Sequence, residues 1–374
     1  MEEFRIKRVF FLLSGLTDGI LNQFDESETE ELDEDTIFFQ LQSVFAHLRK
    51  SKLQFYIPKK FWSVARVSSR LRNTKSSNMI GILQFQLYGR PVNVREQQDA
   101  FEFYTQVIDQ VDEYLADKKK SKVFSPFFEG VFSDQMICQG CPHRYEREQS
   151  FLALNLIVKS NSLVESLDQF VRGELLDGEN AYFCEKCQEK RSTVKRMCIK
   201  TLPKTLVIQL KRFHYDYDTN RAVKFDDYFE FPRSLEMAPY TADGIKRAEK
   251  IANQTANPPE TPVPQRTRKV SVSPTFGNSS RHSSVRVNNS AKDVSYPYDL
   301  VGVVVHSGQA NAGHYYSFIK DRHKSNTWLK FNDTTVTEFE MTDDAMKQEC
   351  FGGSFKAKKT AGSGHLPENR QRYW

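Results

Sequence analysis

The chain has 374 residues, of which 39% are hydrophobic and 27% charged, and it contains 29 Phe and 15 Tyr. This composition is typical of a globular protein with a sizeable core and excludes a wholly disordered chain. The formal net charge of +5 is too small to indicate a nucleic-acid partner. We also expect no membrane partner, because no apolar stretch approaches the roughly 20 residues of a membrane span.

The N-terminal third contains amphipathic segments of helical period. After an acidic run at residues 25–35, apolar side chains share one face of residues 36–49, and a second face recurs over residues 101–115. We predict helices at both places and an earlier one within residues 4–21. Residues 64–84 are polar, basic and aperiodic, which indicates an inserted stretch.

Strand-like sequence dominates from residue 124 onwards. Residues 151–158 and 205–213 have the apolar runs of buried strands. Ser162 and Glu165 form a capping box that predicts a short helix. Residues 241–294 are rich in Pro, Ser, Asn and basic residues, and we expect a disordered insertion there, because it cannot bury enough apolar surface to offset chain entropy.

Four of the six cysteines form two Cys-x-x-Cys pairs, separated by residues 142–183. Each pair can present two thiolates to one ion, and two pairs complete a closed tetrahedral site. We therefore predict a structural zinc ion held by Cys138, Cys141, Cys184 and Cys187. His143 and His214 are rival ligands, although neither improves on four sulfurs.

Two alternatives for the cysteine pairs are a redox motif, which normally opens a helix and needs no twin, and four unrelated reduced thiols. We find no secretion signal, so this cysteine usage favours a reducing compartment, the cytosol or the nucleus.

The sharpest chemical signal is a histidine on a predicted strand, followed one hairpin later by Asn-Asp. His314 lies within residues 313–317, Gly-His-Tyr-Tyr-Ser, and Asn332 and Asp333 end the run Trp-Leu-Lys-Phe-Asn-Asp. An Asn that accepts the imidazole N–H sets the tautomer and leaves the other nitrogen to take a proton from a thiol. We predict that His314 is a general base oriented by Asn332, and that Gly313 lets a substrate backbone approach.

These motifs make the chain resemble the ubiquitin-specific proteases, the papain-like cysteine peptidases that remove ubiquitin. Residues 95–103, Arg-Glu-Gln-Gln-Asp-Ala-Phe-Glu-Phe, resemble a family box. The cysteine pairs resemble its zinc-bearing fingers, residues 206–213 its strand entering the palm, and residues 313–316 its His box. Further stretches are close to the large fat-facets-like branch: residues 137–145, 224–232 and 350–353.

The resemblance implies an α+β, papain-like cysteine peptidase fold shaped like a right hand. A helical thumb would occupy residues 1–120, β fingers with the zinc residues 121–200, and a mixed palm residues 201–374, interrupted by the insertion. The implied activity is thiol-dependent hydrolysis of the isopeptide bond after the ubiquitin C-terminal glycine. The implied partners are ubiquitin and ubiquitinated proteins.

The resemblance also implies site residues. Asp333 would join His314 and Asn332 in the catalytic set, and ubiquitin would be contacted by Gln98, Asp99, Glu102, Gly313 and Tyr315. The carboxylates of Asp99 and Glu102 would receive the basic C-terminal tail of ubiquitin. A simpler alternative is that both are helix N-terminal charges favoured by the dipole.

The sequence departs from the family in its nucleophile. The family's Gly-x-Thr-Cys-Tyr-x-Asn box is not in the sequence; we expect Met1 to follow it and Trp374 to precede the family's last palm strand. Neither Cys198 nor Cys350 has the Gly-rich helix start that would lower a thiol pKa. The hypotheses are therefore a deubiquitinase and a catalytically inactive ubiquitin-binding fragment; a runner-up is that Cys198 or Cys350 reaches His314.

Overall fold

The computed structural model describes residues 14–23, 36–50, 61, 86–87, 90–91, 99–158, 160–256, 294–321, 324, 327–333 and 335–353. The helices are α1 Ser14–Leu21, α2 Ile37–Lys50, α3 Ala100–Asp117, α4 Ser125–Phe128, α5 Leu163–Val171, α6 Ala242–Ala256 and α7 Asp343–Glu349. None of the helices within these residues is long and apolar enough to cross a membrane.

The strands of the described residues form several sheets. They are β1 Gln86–Leu87, β2 Arg90–Pro91, β3 Gly130–Cys138, β4 Arg144–Phe151, β5 Leu154–Ile157, β6 Glu174–Leu176, β7 Tyr182–Cys184, β8 Glu189–Arg191, β9 Thr193–Thr201, β10 Ile208–Lys211, β11 Phe213–Asp216, β12 Arg221–Lys224, β13 Ser234–Glu236, β14 Pro297–Asp299, β15 Gly302–Gln309, β16 Ala312–Lys320, β17 Trp328–Asn332 and β18 Thr335–Phe339.

A helical core lies at the N-terminal end. Buried side chains of α1, α2 and α3 pack together, and those of α3 recur at helical spacing, as in Tyr104, Ile108, Val111 and Leu115. The predicted helices over residues 36–49 and 101–115 are confirmed, and the earlier one is described over Ser14–Leu21. The stretch 64–84 lies outside the described residues.

The carboxylate of Asp112 joins α3 to the chain that follows it. Its oxygens accept hydrogen bonds from the backbone N–H groups of Val123, Phe124 and Ser125 at 3.1–3.2 Å, and from the Ser125 hydroxyl at 2.6 Å. These bonds satisfy donors at the start of α4 that have no partner within the helix.

The middle of the chain forms an antiparallel sheet of order β4-β3-β9-β6, here called the fingers sheet. A parallel pair lies beside it, in which β5 pairs with β10, and a second hydrophobic core contains Leu154, Leu156, Leu167 and Ile199. The predicted short helix is confirmed with Ser162 as its N-cap, since the Glu165 N–H donates to Ser162 Oγ at 3.2 Å.

The C-terminal part forms an antiparallel sheet of order β15-β16-β17-β18, here called the palm sheet. Its core includes Phe318, Trp328 and Met346. The guanidinium of Arg212 ties this core to the preceding strands: Nη2 donates to Phe351 O at 3.1 Å, and Nη1 donates to two further backbone carbonyls.

The insertion differs from the sequence expectation. Helix α6 occupies the first part of the insertion, and Thr241 just before the helix and Ala242 at its first position are both buried. Arg196 on β9 forms an ion pair with Glu249 on α6, and its Nε donates to Gln135 Oε1 at 3.0 Å. The prediction of disorder was wrong here, because small side chains and one ion pair dock the helix without large apolar residues. Residues 257–293 lie outside the described part of the chain.

Candidate functional site

The palm sheet positions His314. β15 and β16 are neighbours in an antiparallel hairpin in which Ser307 pairs with His314, and β17 ends at Asn332. His314 Nε2 lies 2.6 Å from Asn332 Oδ1 and 3.8 Å from Asp333 Oδ2. With Asn332 accepting an Nε2–H, Nδ1 becomes the nitrogen that takes up a proton. The structure therefore brings the three predicted catalytic residues together, while their role remains a prediction.

A second histidine, His306 on β15, lies beneath this site. Its ring contacts Tyr315 and Phe213 edge to face, with centroids 4.6 and 5.0 Å apart. Burial lowers the pKa of His306, and the charge of Lys224 lowers it further. The Nδ1 atom is buried and has no hydrogen-bond partner among the described residues. Burial and the charge of Lys224 therefore both disfavour the charged form of the His306 ring.

The contact between His306 and Gly313 explains the glycine before the predicted base. A Cβ at Gly313 would lie 2.3 Å from His306 Nε2 and 2.5 Å from the Ser307 carbonyl oxygen. Glycine is therefore required at position 313, because β15, β16 and the His306 ring leave no room there for a side chain. This packing role adds to the predicted approach of a substrate backbone.

Lys224 at the end of β12 binds the β15–β16 hairpin through hydrogen bonds to its backbone. Its Nζ donates to the carbonyl oxygens of His306 at 3.2 Å and Gly308 at 2.9 Å, and lies 2.7 Å from Asp226 Oδ1. The Lys224 side chain is only 8% exposed. A buried ammonium that satisfies two carbonyls at the end of β15 fixes the turn leading to His314, and sequence reasoning missed this residue.

The predicted ubiquitin-contacting residues have separate positions. Asp99 is the N-cap of α3, with Oδ1 accepting the Glu102 N–H at 2.8 Å, so the helix-terminal alternative describes Asp99. Asp99 also acts electrostatically on His306, which places the start of α3 near the palm hairpin. Tyr315 is buried against His306. Gln98 lies outside the described residues.

The two cysteines outside the paired motifs are buried. Cys350 belongs to the palm core and stands at the C-cap of α7, the end where the helix dipole disfavours a thiolate. Burial raises the pKa of Cys350 to about 12, and burial also raises the pKa of Cys198. Cys198 lies on β9, where its Sγ donates to the Ser133 carbonyl oxygen at 3.6 Å. Both thiols are held protonated, unlike a nucleophile.

The paired cysteine motifs meet at the tip of the fingers sheet. The donor atoms of Cys141, His143, Cys184 and Cys187 all lie within 4.8 Å of one another. His143 Nδ1 is 3.2 Å from Cys187 Sγ and 3.4 Å from Cys184 Sγ. Three thiols and an imidazole fit a tetrahedral zinc ion. A hydrogen bond from the Tyr145 hydroxyl, with weaker help from His143, lowers the pKa of Cys184 to about 5, which favours the ligating thiolate.

Tight turns produce this convergence. Gly140 adopts a φ of +77° between the first two cysteines. In the second motif the N–H groups of Cys187 and Gln188 both donate to the Cys184 carbonyl oxygen. The structure thus adds His143 to three of the four predicted ligands. Cys138 lies beside the group, and the assignment of a ligand set remains a prediction.

Comparison with known proteins gives a consistent result. Residues 8–359 match the family model described as ubiquitin carboxyl-terminal hydrolase. The chain is 44% identical over 367 residues to human ubiquitin carboxyl-terminal hydrolase 24, covering 97% of this chain and 12% of that protein. It is 40% identical over 344 residues to the Drosophila melanogaster protein named probable ubiquitin carboxyl-terminal hydrolase FAF, covering 90% of this chain and 11% of that protein. The chain therefore spans about an eighth of these relatives.

A solved structure shares the fold. The chain aligns with one from the SAGA Ubp8, Sgf11, Sus1 and Sgf73 DUB module with a TM-score of 0.62 and 22% identity, covering 94% of this chain and 65% of that one. Together with the family match, this alignment confirms the expected α+β, papain-like fold. The resemblance to the fat-facets-like branch is confirmed by the relatives themselves.

Proposed function

The chain belongs to the ubiquitin carboxyl-terminal hydrolase family, and from that membership we propose that it forms the ubiquitin-binding, general-base part of a deubiquitinase. The reaction is hydrolysis of the isopeptide bond after the C-terminal glycine of ubiquitin, with ubiquitinated proteins as substrates. The single observation that carries the proposal is the pairing of His314 with Asn332 at 2.6 Å. The hairpin that bears His314 is fixed by Lys224.

The residues of the chain supply the proton transfers. Nδ1 of His314 would accept the thiol proton as the sulfur attacks the carbonyl carbon, and would then give that proton to the departing lysine amine. Asn332 keeps the ring in the tautomer that this requires, and Asp333 adds negative charge near the imidazolium. A thiolate is the remaining requirement of the reaction.

The six cysteines support a second proposal for the isolated chain. Three lie with His143 in the fingers cluster, Cys138 lies beside them, and Cys198 and Cys350 are buried with raised pKa values. None of these positions offers an activated thiol beside His314. Residues 1–374 alone should therefore bind ubiquitin without hydrolysing it.

The test measures binding and turnover on the same purified protein. We expect ubiquitin to bind, and a ubiquitin C-terminal coumarin amide to be left intact by both the natural chain and His314→Ala. Turnover that disappears in His314→Ala would show that one of the six thiols is competent. An absence of ubiquitin binding by a folded chain would refute the proposed binding function.

We further propose that the fingers cluster holds one structural zinc ion, supported by its three sulfur donors and one nitrogen donor. Closing the tip around an ion would stabilise the two turns. We propose the cytosol or nucleus as the compartment, since none of the six cysteines forms a disulfide and a zinc cluster needs reduced thiols.

A further inference from the structure

The tip of the fingers sheet contains one donor more than a tetrahedral zinc ion uses. Besides the four clustered groups, Cys138 is buried close enough to Cys141 and Cys184 to interact with their side chains. Structural zinc sites are almost always four-coordinate. One of the five donors is therefore surplus at any moment.

Cys138 is held in a defined place by the backbone. It pairs with Thr193 across the fingers sheet, and its N–H donates to the His143 carbonyl oxygen at 3.2 Å. The Thr193 hydroxyl lies 3.0 Å from the Arg191 carbonyl oxygen and 3.7 Å from Cys138 Sγ, so its one proton can go to either acceptor. By turning to the sulfur, the hydroxyl can give Cys138 a partner while it is not a ligand.

Cys138 and His143 contact different members of the group. The nearest sulfur contacts of His143 are to Cys184 and Cys187, whereas Cys138 interacts with Cys141 and Cys184. One set of donors is three sulfurs with an imidazole, and the other is four sulfurs. The four-sulfur set would share three sulfurs with the first set and differ only in the fourth donor. Cys138 lies outside the group whose donor atoms are within 4.8 Å of one another, so its side chain would have to move closer to complete that set.

We propose that Cys138 is a reserve ligand, which takes the fourth position on the metal when His143 is lost or withdraws. His143 is the resident ligand, because its donor atom lies within 4.8 Å of those of all three shared cysteines. Exchange to Cys138 adds a thiolate to the site. The guanidinium of Arg191, which is paired with Glu189, also interacts with Cys187 and Cys141 and so lies near the added charge. The inference rests on the proposed zinc site.

The experiment replaces zinc with Co²⁺, whose thiolate charge-transfer absorption reports the number of sulfur ligands. Four variants are compared with the natural chain for metal per chain and absorbance per cobalt: Cys138→Ser, His143→Ala, the double variant and Cys184→Ser. We expect Cys138→Ser to leave both values unchanged. His143→Ala should keep one metal, with charge-transfer absorbance higher by about one third, because four thiolates replace three.

The double variant should bind far less metal than either single variant. Loss of the metal from His143→Ala would overturn the proposal, and so would a changed spectrum in Cys138→Ser. Full metal content in Cys184→Ser, or none in the natural chain, would instead refute the zinc site itself. Because the two single variants decide the inference, misfolding of the double variant does not protect it.

Discussion

Arg196 on the fingers sheet and Glu249 on α6 form an ion pair that is buried at one end. The Arg196 side chain is 8% exposed, whereas that of Glu249 is 44% exposed. Gln135 is the other hydrogen-bond partner of this guanidinium. Removing the carboxylate would leave a buried cation whose charge is no longer balanced.

We therefore expect Glu249→Ala to lower the free energy of unfolding by about 1–2 kcal/mol, a value reduced for the exposure of Glu249. Urea denaturation measures the change. Lys250→Ala, at the exposed neighbouring position, should stay within about 0.5 kcal/mol of the natural chain. Equal midpoints for the two variants would mean that the ion pair contributes nothing.

Asp112 is expected to be a strong contributor to the helical core. Asp112→Ala removes the acceptor for three backbone N–H groups and one hydroxyl, so the free energy of unfolding should fall by about 3 kcal/mol. Thermal and urea unfolding provide the measurement, with the exposed Asp117→Ala as the matched control. A loss as small as that of the control would contradict this assignment.

The buried thiols should resist alkylation. At pH 8 we expect iodoacetamide to leave Cys198 and Cys350 unmodified in the folded chain and to label both in urea, as read by mass spectrometry. Rapid labelling of Cys350 in the folded chain would show that its thiol is reachable and ionised.

The same burial gives Cys350 a pH-dependent effect on stability. Its pKa is raised to about 12 in the folded chain, above the value of about 8.5 for an unfolded cysteine. Its contribution is therefore fully present below the unfolded pKa and is lost as pH rises towards 12. Urea midpoints between pH 8 and 11 should fall more steeply for the natural chain than for Cys350→Ala, and parallel curves would contradict the shift.

The insertion should divide into a dispensable part and a required part. Deleting residues 260–290 keeps α6 and should change the free energy of unfolding by about 1 kcal/mol, because loop-closure entropy depends weakly on length. Deleting from residue 241 also removes Glu249 and should cost more. Limited proteolysis is expected to cut within residues 257–293 first, and initial cuts in the palm sheet would refute the prediction of a disordered insertion.

Local patterns predicted the local structure. The helical spacing of apolar residues in α3 and the N-cap at Ser162 both depend on residues that are close together in sequence. Both features were therefore predicted from the sequence. The docking of α6 was missed because Arg196 stands 53 residues before Glu249 and nothing local links them. The composition of the insertion therefore predicted disorder, because it contains no information about the ion pair with Arg196.

In the candidate site, too, contacts between residues close in sequence were predicted and contacts between distant residues were missed. His314 and Asn332 were found because one hairpin joins them, and the structure brings them together. Lys224 and His306 were missed because their contact joins positions 82 residues apart. The sequence offered His143 as a rival ligand but ranked four sulfurs above it, because the position of its ring depends on the turn at Gly140 and on the register of β3 with β4.

The parallel pairing of β5 with β10 has a consequence for the order of folding. Parallel neighbours cannot be joined by a hairpin, and the connection here contains the whole of β6 to β9. The pair can form only after a long segment has closed, which is slow when that segment is an open chain. The connection between β3 and β9 is at least as long as that between β5 and β10, so we expect the local β3–β4 hairpin to form first. Addition of β9 to this hairpin then brings β5 and β10 together. The fingers sheet would then act as a scaffold for assembly of the neighbouring strands, and weakening it should slow refolding even where the palm contacts are intact.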